Sequence, residues 1–268
     1  MKPAQTPTLL TVLATLLAAA ASAIGLFANV YRDNAFVTAA WRGNDVVTLF
    51  VAAPITLVTL WLARRGSLRA RLLWLGGLWY LLYNYVFYLY GAALNRVFLA
   101  YVAIVVLALF GLVLGLVELD APALARRFRR QTPVIPISLF MLSIPLIMGL
   151  MVELPMVLQM TLYGVVHPDI AKFETTTAVV PAVDMTLLFP ALIVAAVLLW
   201  QRRPWGYIMT AVLLFKGATY TLALLVMSGF AYAATGILDP LVSFYAAFCL
   251  GGTLALIFLL GNLEEEPR

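Results

Sequence analysis

Eight stretches of the chain are apolar over nearly the length a bilayer requires: residues 9–30, 46–63, 72–93, 97–117, 137–163, 185–200, 207–231 and 240–262. A membrane-crossing helix needs about 20 mainly apolar residues to traverse a hydrocarbon core ~30 Å thick. The run at 185–200 is short and needs another turn at one end. Only short polar segments separate the runs, and the longest, about 164–184, is too small for a soluble domain. The pattern predicts an all-α, polytopic membrane bundle of about eight transmembrane helices. Run 1 has the outline of a signal peptide, with Lys2 before it and Ala21-Ser22-Ala23 late in it. It is longer than a usual signal h-region, so it is expected to be a span.

Composition agrees. The chain is 64% hydrophobic and 11% charged, against roughly 25% charged in soluble domains. That much apolar surface implies the lipid bilayer as solvent. The net charge of +5 does not mark a nucleic-acid partner, because the basic residues sit in short loops between apolar runs. Twelve fall at the termini or after even-numbered runs: Lys2, Arg64, Arg65, Arg69, Arg71, Arg126, Arg127, Arg129, Arg130, Arg202, Arg203 and Arg268. Four (Arg32, Arg42, Arg96 and Lys172) fall on the other side, and Lys216 lies inside a run. The positive-inside rule then predicts both termini cytoplasmic, in a bacterial-type plasma membrane. The tail Glu264-Glu265-Glu266 reads as a solvated end.

The chain also matches itself. Leu26-Phe27 aligns with Leu162-Tyr163, Asp33 with Asp169, Phe36 with Phe173 and Thr38 with Thr175. Further on, Asp45 meets Asp184, Leu49-Phe50 meets Leu188-Phe189, Trp61 meets Trp200 and Arg64 meets Arg203. Apolar composition would align leucines but not aspartates, a tryptophan and an arginine in order. The expectation is two four-helix repeats, 1–131 and 132–268, joined by the basic segment 119–133. An even number of spans per unit gives the halves the same orientation, with a pseudo-twofold axis along the membrane normal.

Two charges fall at mid-membrane depth, Glu153 in run 5 and Lys216 in run 7. Each costs roughly 2.5–3.5 kcal/mol at the bilayer centre, so both should face the bundle interior, most simply as a pair. Such a pair is either a substrate site or a structural lock. Pro145 and Pro155 break the same run, removing donors for the carbonyls of Met141 and Met151. In run 3, Tyr80, Tyr83, Asn84 and Phe87 share one helical face. In run 7, Lys216, Thr219, Tyr220 and Ala223 have the same spacing, so these faces are expected to meet and to offer hydroxyls, an amide and an ammonium to a small polar or anionic solute or to a proton. Tyr88 and Tyr90 read as an interfacial aromatic belt. Of the four repeated acids at the outer mouth, Asp45 and Asp184 read as N-caps before runs 2 and 6. Asp33 and Asp169 read as turn residues.

One cysteine, Cys249, and one histidine, His167, make a thiol cluster or multi-histidine metal site impossible, and no cofactor or metal is expected. No serine–histidine, paired-aspartate or HExxH arrangement suggests an intramembrane enzyme. A lysine in the seventh run resembles microbial rhodopsins at that residue alone, and without an acid in run 3 there is no counter-ion for a pigment. The leading expectation is a small-molecule or ion transporter or permease with a mid-membrane polar site, secondary or driven by a partner because no nucleotide motif is present. The alternative is a sensor or assembly subunit, acting as a homo-oligomer or with a membrane partner subunit.

The orientation predicts a labelling pattern. In a Cys249→Ser background, Asn95→Cys should react with an impermeant maleimide added to intact cells, and Gln201→Cys only after permeabilisation. The reverse pattern would invert the topology.

Overall fold

Each apolar run folds as a helix long and apolar enough to cross a membrane: span 1 (Gln5–Phe27), span 2 (Ala35–Arg64), span 3 (Leu68–Gly91), span 4 (Phe98–Val117), span 5 (Val134–Tyr163), span 6 (Val179–Trp200), span 7 (Pro204–Thr235) and span 8 (Val242–Gly261). The computed structural model describes residues 3–175 and 177–265. Lys2, Arg268 and Glu266, counted above, lie outside the described residues. Short helices at Ala121–Ala125 and Pro168–Ala171 sit in the connections, and no strand occurs among the described residues. With every span helical, backbone N–H and C=O groups pair within their own helix, as the hydrocarbon core demands. The protein is a multi-pass membrane protein.

Helix ends follow local chemistry. Asn34 caps span 2 by accepting the Val37 N–H at 2.9 Å, and Ser67 caps span 3 through the Ala70 N–H at 3.2 Å. Pro204 opens span 7, where its missing donor costs nothing. Spans 5 and 7 end on Gly164 (φ 68°) and Gly236 (φ 72°), whose left-handed backbone only glycine adopts without a Cβ penalty.

Two span starts differ from the sequence expectation. Span 2 begins at Ala35 and span 6 at Val179, not at 46 and 185. Thr38, Arg42, Asn44 and Asp45 lower the local hydropathy, yet that stretch is helical and largely buried against neighbouring spans. Asp45 and Asp184 are therefore not N-caps but side chains within spans. Arg42 likewise lies within span 2, donating to the Asn29 Oδ1 at 3.0 Å.

Three spans widen into π-helical turns, at Thr48–Ala52, Pro145–Glu153 and Asp184–Leu188. Proline accounts for their placement. Pro145 opens the second, and Pro54 and Pro190 follow the first and third by two residues. Each removes a donor from the regular ladder and lets the helix take an extra residue per turn.

In the first half, span 1 packs on spans 2 and 4, and span 3 on spans 2 and 4. In the second, span 5 packs on spans 6 and 8, and span 7 on spans 6 and 8. Each set closes a four-helix ring in the same order. The halves meet where span 7 packs on spans 2 and 3 and the start of span 6 touches span 3. Span 3 is buried along most of its length, whereas span 8 turns most of its surface outward. Ala21 and Ser22 of span 1 are buried too, so this helix is part of the bundle.

The ends of the described chain and the loops after even-numbered spans share one face. Residues 127–129 pair antiparallel with 262–264, through Arg129 N–H to Asn262 O and Glu264 N–H to Arg127 O, both 2.9 Å. The Ala4 N–H donates to Glu118 at 3.1 Å, and the Arg202 guanidinium to the Thr132 carbonyl at 3.4 Å. On the opposite face, Asn34 donates to the Lys172 carbonyl at 3.0 Å and the Ala93 N–H to Asp33 at 2.8 Å.

Glu265 is not simply a solvated tail residue. Its carboxylate accepts the Ser67 hydroxyl (2.8 Å) and the Leu68 and Arg69 N–H groups (2.8 and 3.0 Å) at the start of span 3. Partial burial raises its pKa, but these donors and the Arg69 charge outweigh that and leave it below the usual 4.5. A carboxyl depressed in the folded state contributes stability above its ordinary pKa and loses it as pH falls through the folded value. Glu265→Ala should lower the melting temperature in detergent, by an amount equivalent to about 1 kcal/mol, at neutral pH. The gap to wild type should narrow as pH falls below the ordinary carboxyl value and through the lowered folded one. A pH-independent gap would assign Glu265 a packing role instead.

Candidate functional site

Spans 5, 6 and 7 bring charge to one place, and span 3 brings an aromatic ring to it. Lys216, from span 7, is 1% exposed. Its ammonium lies 3.2 Å from the centre of the Tyr83 ring of span 3 and 4.6 Å from that of Tyr220, a cation–π arrangement that replaces part of its lost hydration. Tyr220 meets Tyr83 edge to face at 4.9 Å and stacks on Phe87 at 5.9 Å. Of the faces of spans 3 and 7 expected to meet, Tyr83, Phe87, Lys216 and Tyr220 come together here.

The expected Glu153–Lys216 pair is not formed. No carboxylate lies within 4.0 Å of the Lys216 ammonium among the described residues. The acid whose charge acts on Lys216 is Asp184 of span 6. Asp184 accepts the Tyr83 hydroxyl, and its carboxyl neighbours that of Glu153 closely enough for the two to interact. Glu153 is 4% exposed, and its Oε2 has no hydrogen-bond partner. The order across the site is Glu153, Asp184, then Lys216 over its two rings.

A cleft of about 240 Å³ reaches this cluster from the face carrying the 164–178 connection. Glu153, Asp184 and Tyr220 line its inner end, and Asp169, Lys172 and Asp239 lie nearer the mouth. A second cavity of about 90 Å³ adjoins it, lined by Lys216, Tyr83, Asp184 and Tyr220. The cleft exists because span 5 turns away from the bundle: none of Leu154–Tyr163 is buried. The widened turns Pro145–Glu153 and Asp184–Leu188 place Glu153 and Asp184 at the ends that face the cleft.

Other singled-out residues lie elsewhere. Thr219 donates to the Phe215 carbonyl of its own helix at 2.9 Å. Tyr80 and Asn84 turn toward span 2: Asn44 donates to Asn84 at 2.6 Å, Tyr80 and Thr48 share a hydrogen bond at 2.9 Å, and Tyr80 donates to Asn44 at 3.3 Å. Tyr80 still touches the site through its ring, 6.3 Å from Tyr220. Asp33 accepts the Ala93 N–H, and its burial pushes its pKa up. Asp169 pairs with Lys172 at 3.0 Å on the loop.

A second buried acid is Asp45, expected at the outer mouth as an N-cap but placed inside the bundle. Asp45 is 1% exposed and accepts the hydroxyls of Tyr31 and, at 3.0 Å, Tyr88. Tyr85 and Tyr101 pack against Tyr88 at ring distances of 5.2 Å. Gly25 lies against this group, and a Cβ there would collide with the Asp45 carboxylate and the Tyr31 hydroxyl. Tyr88 is thus a buried ligand of Asp45 and not a belt residue, whereas Tyr90 is exposed. The signal was present in the repeat, which aligned Asp45 with Asp184. Both acids accept a tyrosine hydroxyl from span 3.

The fold and site define a polytopic helical membrane protein with an aqueous-side cleft ending on buried charge. The chain matches no protein-family model, no curated protein and no solved structure.

The amide network of spans 2 and 3 gives a stability test. Asn84→Leu leaves the Asn44 amide without its acceptor and should lower the melting temperature by the equivalent of about 1 kcal/mol. Adding Asn44→Leu should recover part of that, because an apolar pair leaves fewer polar groups unpaired. A double variant worse than the sum of the singles would mean the amides act through packing.

Proposed function

We propose that the protein is a small-molecule or ion transporter, or a channel-like permease, whose site is the Glu153–Asp184–Lys216 cluster with Tyr83 and Tyr220. The observation that carries this reading is the cleft that runs from one membrane face and ends on those charges. Intramembrane charges lining a cavity mark solute and ion pathways, and helices broken by proline at membrane depth are tolerated where they line one.

In this reading the chain is two same-orientation halves, 1–131 and 132–268. Two features support it: each half closes a ring of spans in the same order, and spans 2 and 6 widen near corresponding positions. The Lys and Arg distribution supports cytoplasmic termini in a bacterial-type plasma membrane, which puts the cleft mouth outside. The first half carries a closed, fully hydrogen-bonded acid, and the second an open one. The open half is the one equipped to exchange a solute or proton, and alternating access would move span 5 against spans 6 and 7.

The test uses proteoliposomes challenged with gradients of protons and of cationic, anionic and neutral small solutes. One class should give protein-dependent flux, reduced at least about tenfold, or ~1.4 kcal/mol, by Glu153→Gln and by Lys216→Met. The double variant should still elute as a folded protein. Wild-type flux in both single variants would remove the site assignment. No protein-dependent flux for any class would favour a sensor or assembly subunit.

A further inference from the structure

We propose that the cleft binds an amphipathic organic cation, an amine whose ammonium reaches Glu153 and Asp184 while its apolar body lies along the cleft wall. This deepens the transport reading and takes its site from it.

The first support is an unmatched acceptor. Glu153 is almost wholly buried, lines the cleft, and has an Oε2 with no hydrogen-bond donor. A buried acceptor left unpaired is costly, and a ligand that brings N–H groups removes the cost. The second is that no unpaired base lines the cleft among the described residues. Lys172, the one base lining the cleft among the described residues, is paired with Asp169. The Ser228 hydroxyl donates to the Leu224 carbonyl at 2.8 Å. A ligand therefore meets carboxylates, with Glu153 and Asp184 at the inner end and Asp239 on the wall.

Lys216 does not reverse this. Its ammonium sits over the Tyr83 and Tyr220 rings in the adjoining smaller cavity, on the far side of Asp184. An anion would have to pass two carboxylates to reach it. An incoming ammonium would instead share Asp184 with Lys216, so the lysine acts as a resident competitor. Sequence alone, with Glu153 and Lys216 the conspicuous charges, pointed to a small polar or anionic solute or a proton; the layering of charges favours a cation.

The walls specify the rest of the ligand. Trp41, Phe87, Met148, Met156, Leu224 and Met227 make most of the lining apolar, and aromatic faces favour organic cations. The volume of about 240 Å³ lies just under the usual small-molecule range. An inorganic ion would want about six or more oxygens, and no three acid, histidine or cysteine side chains converge among the described residues.

The experiment is calorimetric titration of the purified full-length protein in nanodiscs with 2-phenylethylamine, 3-phenylpropionate and 2-phenylethanol, three probes alike except in charge. The amine should bind best, Glu153→Gln should weaken it at least about tenfold, and Lys216→Met should bind it as tightly as wild type or tighter. Should Glu153→Gln not fold, amine protection of wild-type Glu153 from dicyclohexylcarbodiimide, read by mass spectrometry, serves in its place. Preference for the propionate, loss of amine binding in Lys216→Met, displacement of the amine by sodium chloride but not by choline chloride at the same concentration, or no binding tighter than about 1 mM by the amine would overturn the proposal. Amine binding without amine uptake in proteoliposomes would remove the transport reading and keep the cation site. Propionate uptake lost in Lys216→Met would do the opposite.

Discussion

A lysine in the middle of a membrane helix must be solvated by something other than lipid, and the structure turns on how that is done for Lys216. Leaving the ammonium in hydrocarbon costs roughly 2.5–3.5 kcal/mol on insertion scales. Two tyrosine rings take the place of contacting water and the charge of Asp184 acts on the ammonium from beyond contact distance; the three groups come from three helices. Tyr83 requires span 3 against span 7, and Asp184 requires the start of span 6 to close on both. Span 3 is consequently the most buried helix of the bundle. Its buried tyrosine hydroxyls, the Asn84 amide and the Trp74 indole, unsuited to a lipid-facing helix, find partners on spans 1, 2 and 6.

The other half solves the same problem without a cation. Asp45 sits among Tyr31, Tyr85, Tyr88 and Tyr101, and its carboxylate accepts the hydroxyls of Tyr31 and Tyr88. That centre is sealed. The Glu153–Asp184 site is open: span 5 carries two interior prolines, Pro145 and Pro155, where the interior of span 1 has none, and the helix beyond Glu153 leaves the bundle. One scaffold thus holds a closed acid and a water-facing acid, and the difference follows from two backbone donors missing in a single helix.

The face opposite the cleft is built differently. There the C-terminal segment pairs with the 127–129 stretch, and Glu265 satisfies the exposed N–H groups at the start of span 3. Span 3, the helix on which both acids depend, is therefore tied at one end by a charge-assisted cap and held along its length by Asp45 and Asp184.

Hydropathy and charge placement along the chain determined eight helices, their order and the alternation of their loops, because crossing a bilayer is a local, one-dimensional requirement on each segment. The same local rule picked out Glu153 and Lys216, since any charge at that depth stands out. It misplaced the starts of spans 2 and 6: Asn44 and Asp45 read as loop when counted for polarity, and only burial against spans 1 and 3 shows why they belong inside a helix. Whether Lys216 would meet Glu153 or Asp184, and whether Tyr80 and Asn84 would face the cleft or span 2, depended on helix rotation and crossing. Side chains one turn apart on a helix can face different neighbours, so no spacing along the chain contains that choice. Tertiary packing decided it, by placing each buried polar group where a partner from another span could replace the water it had lost.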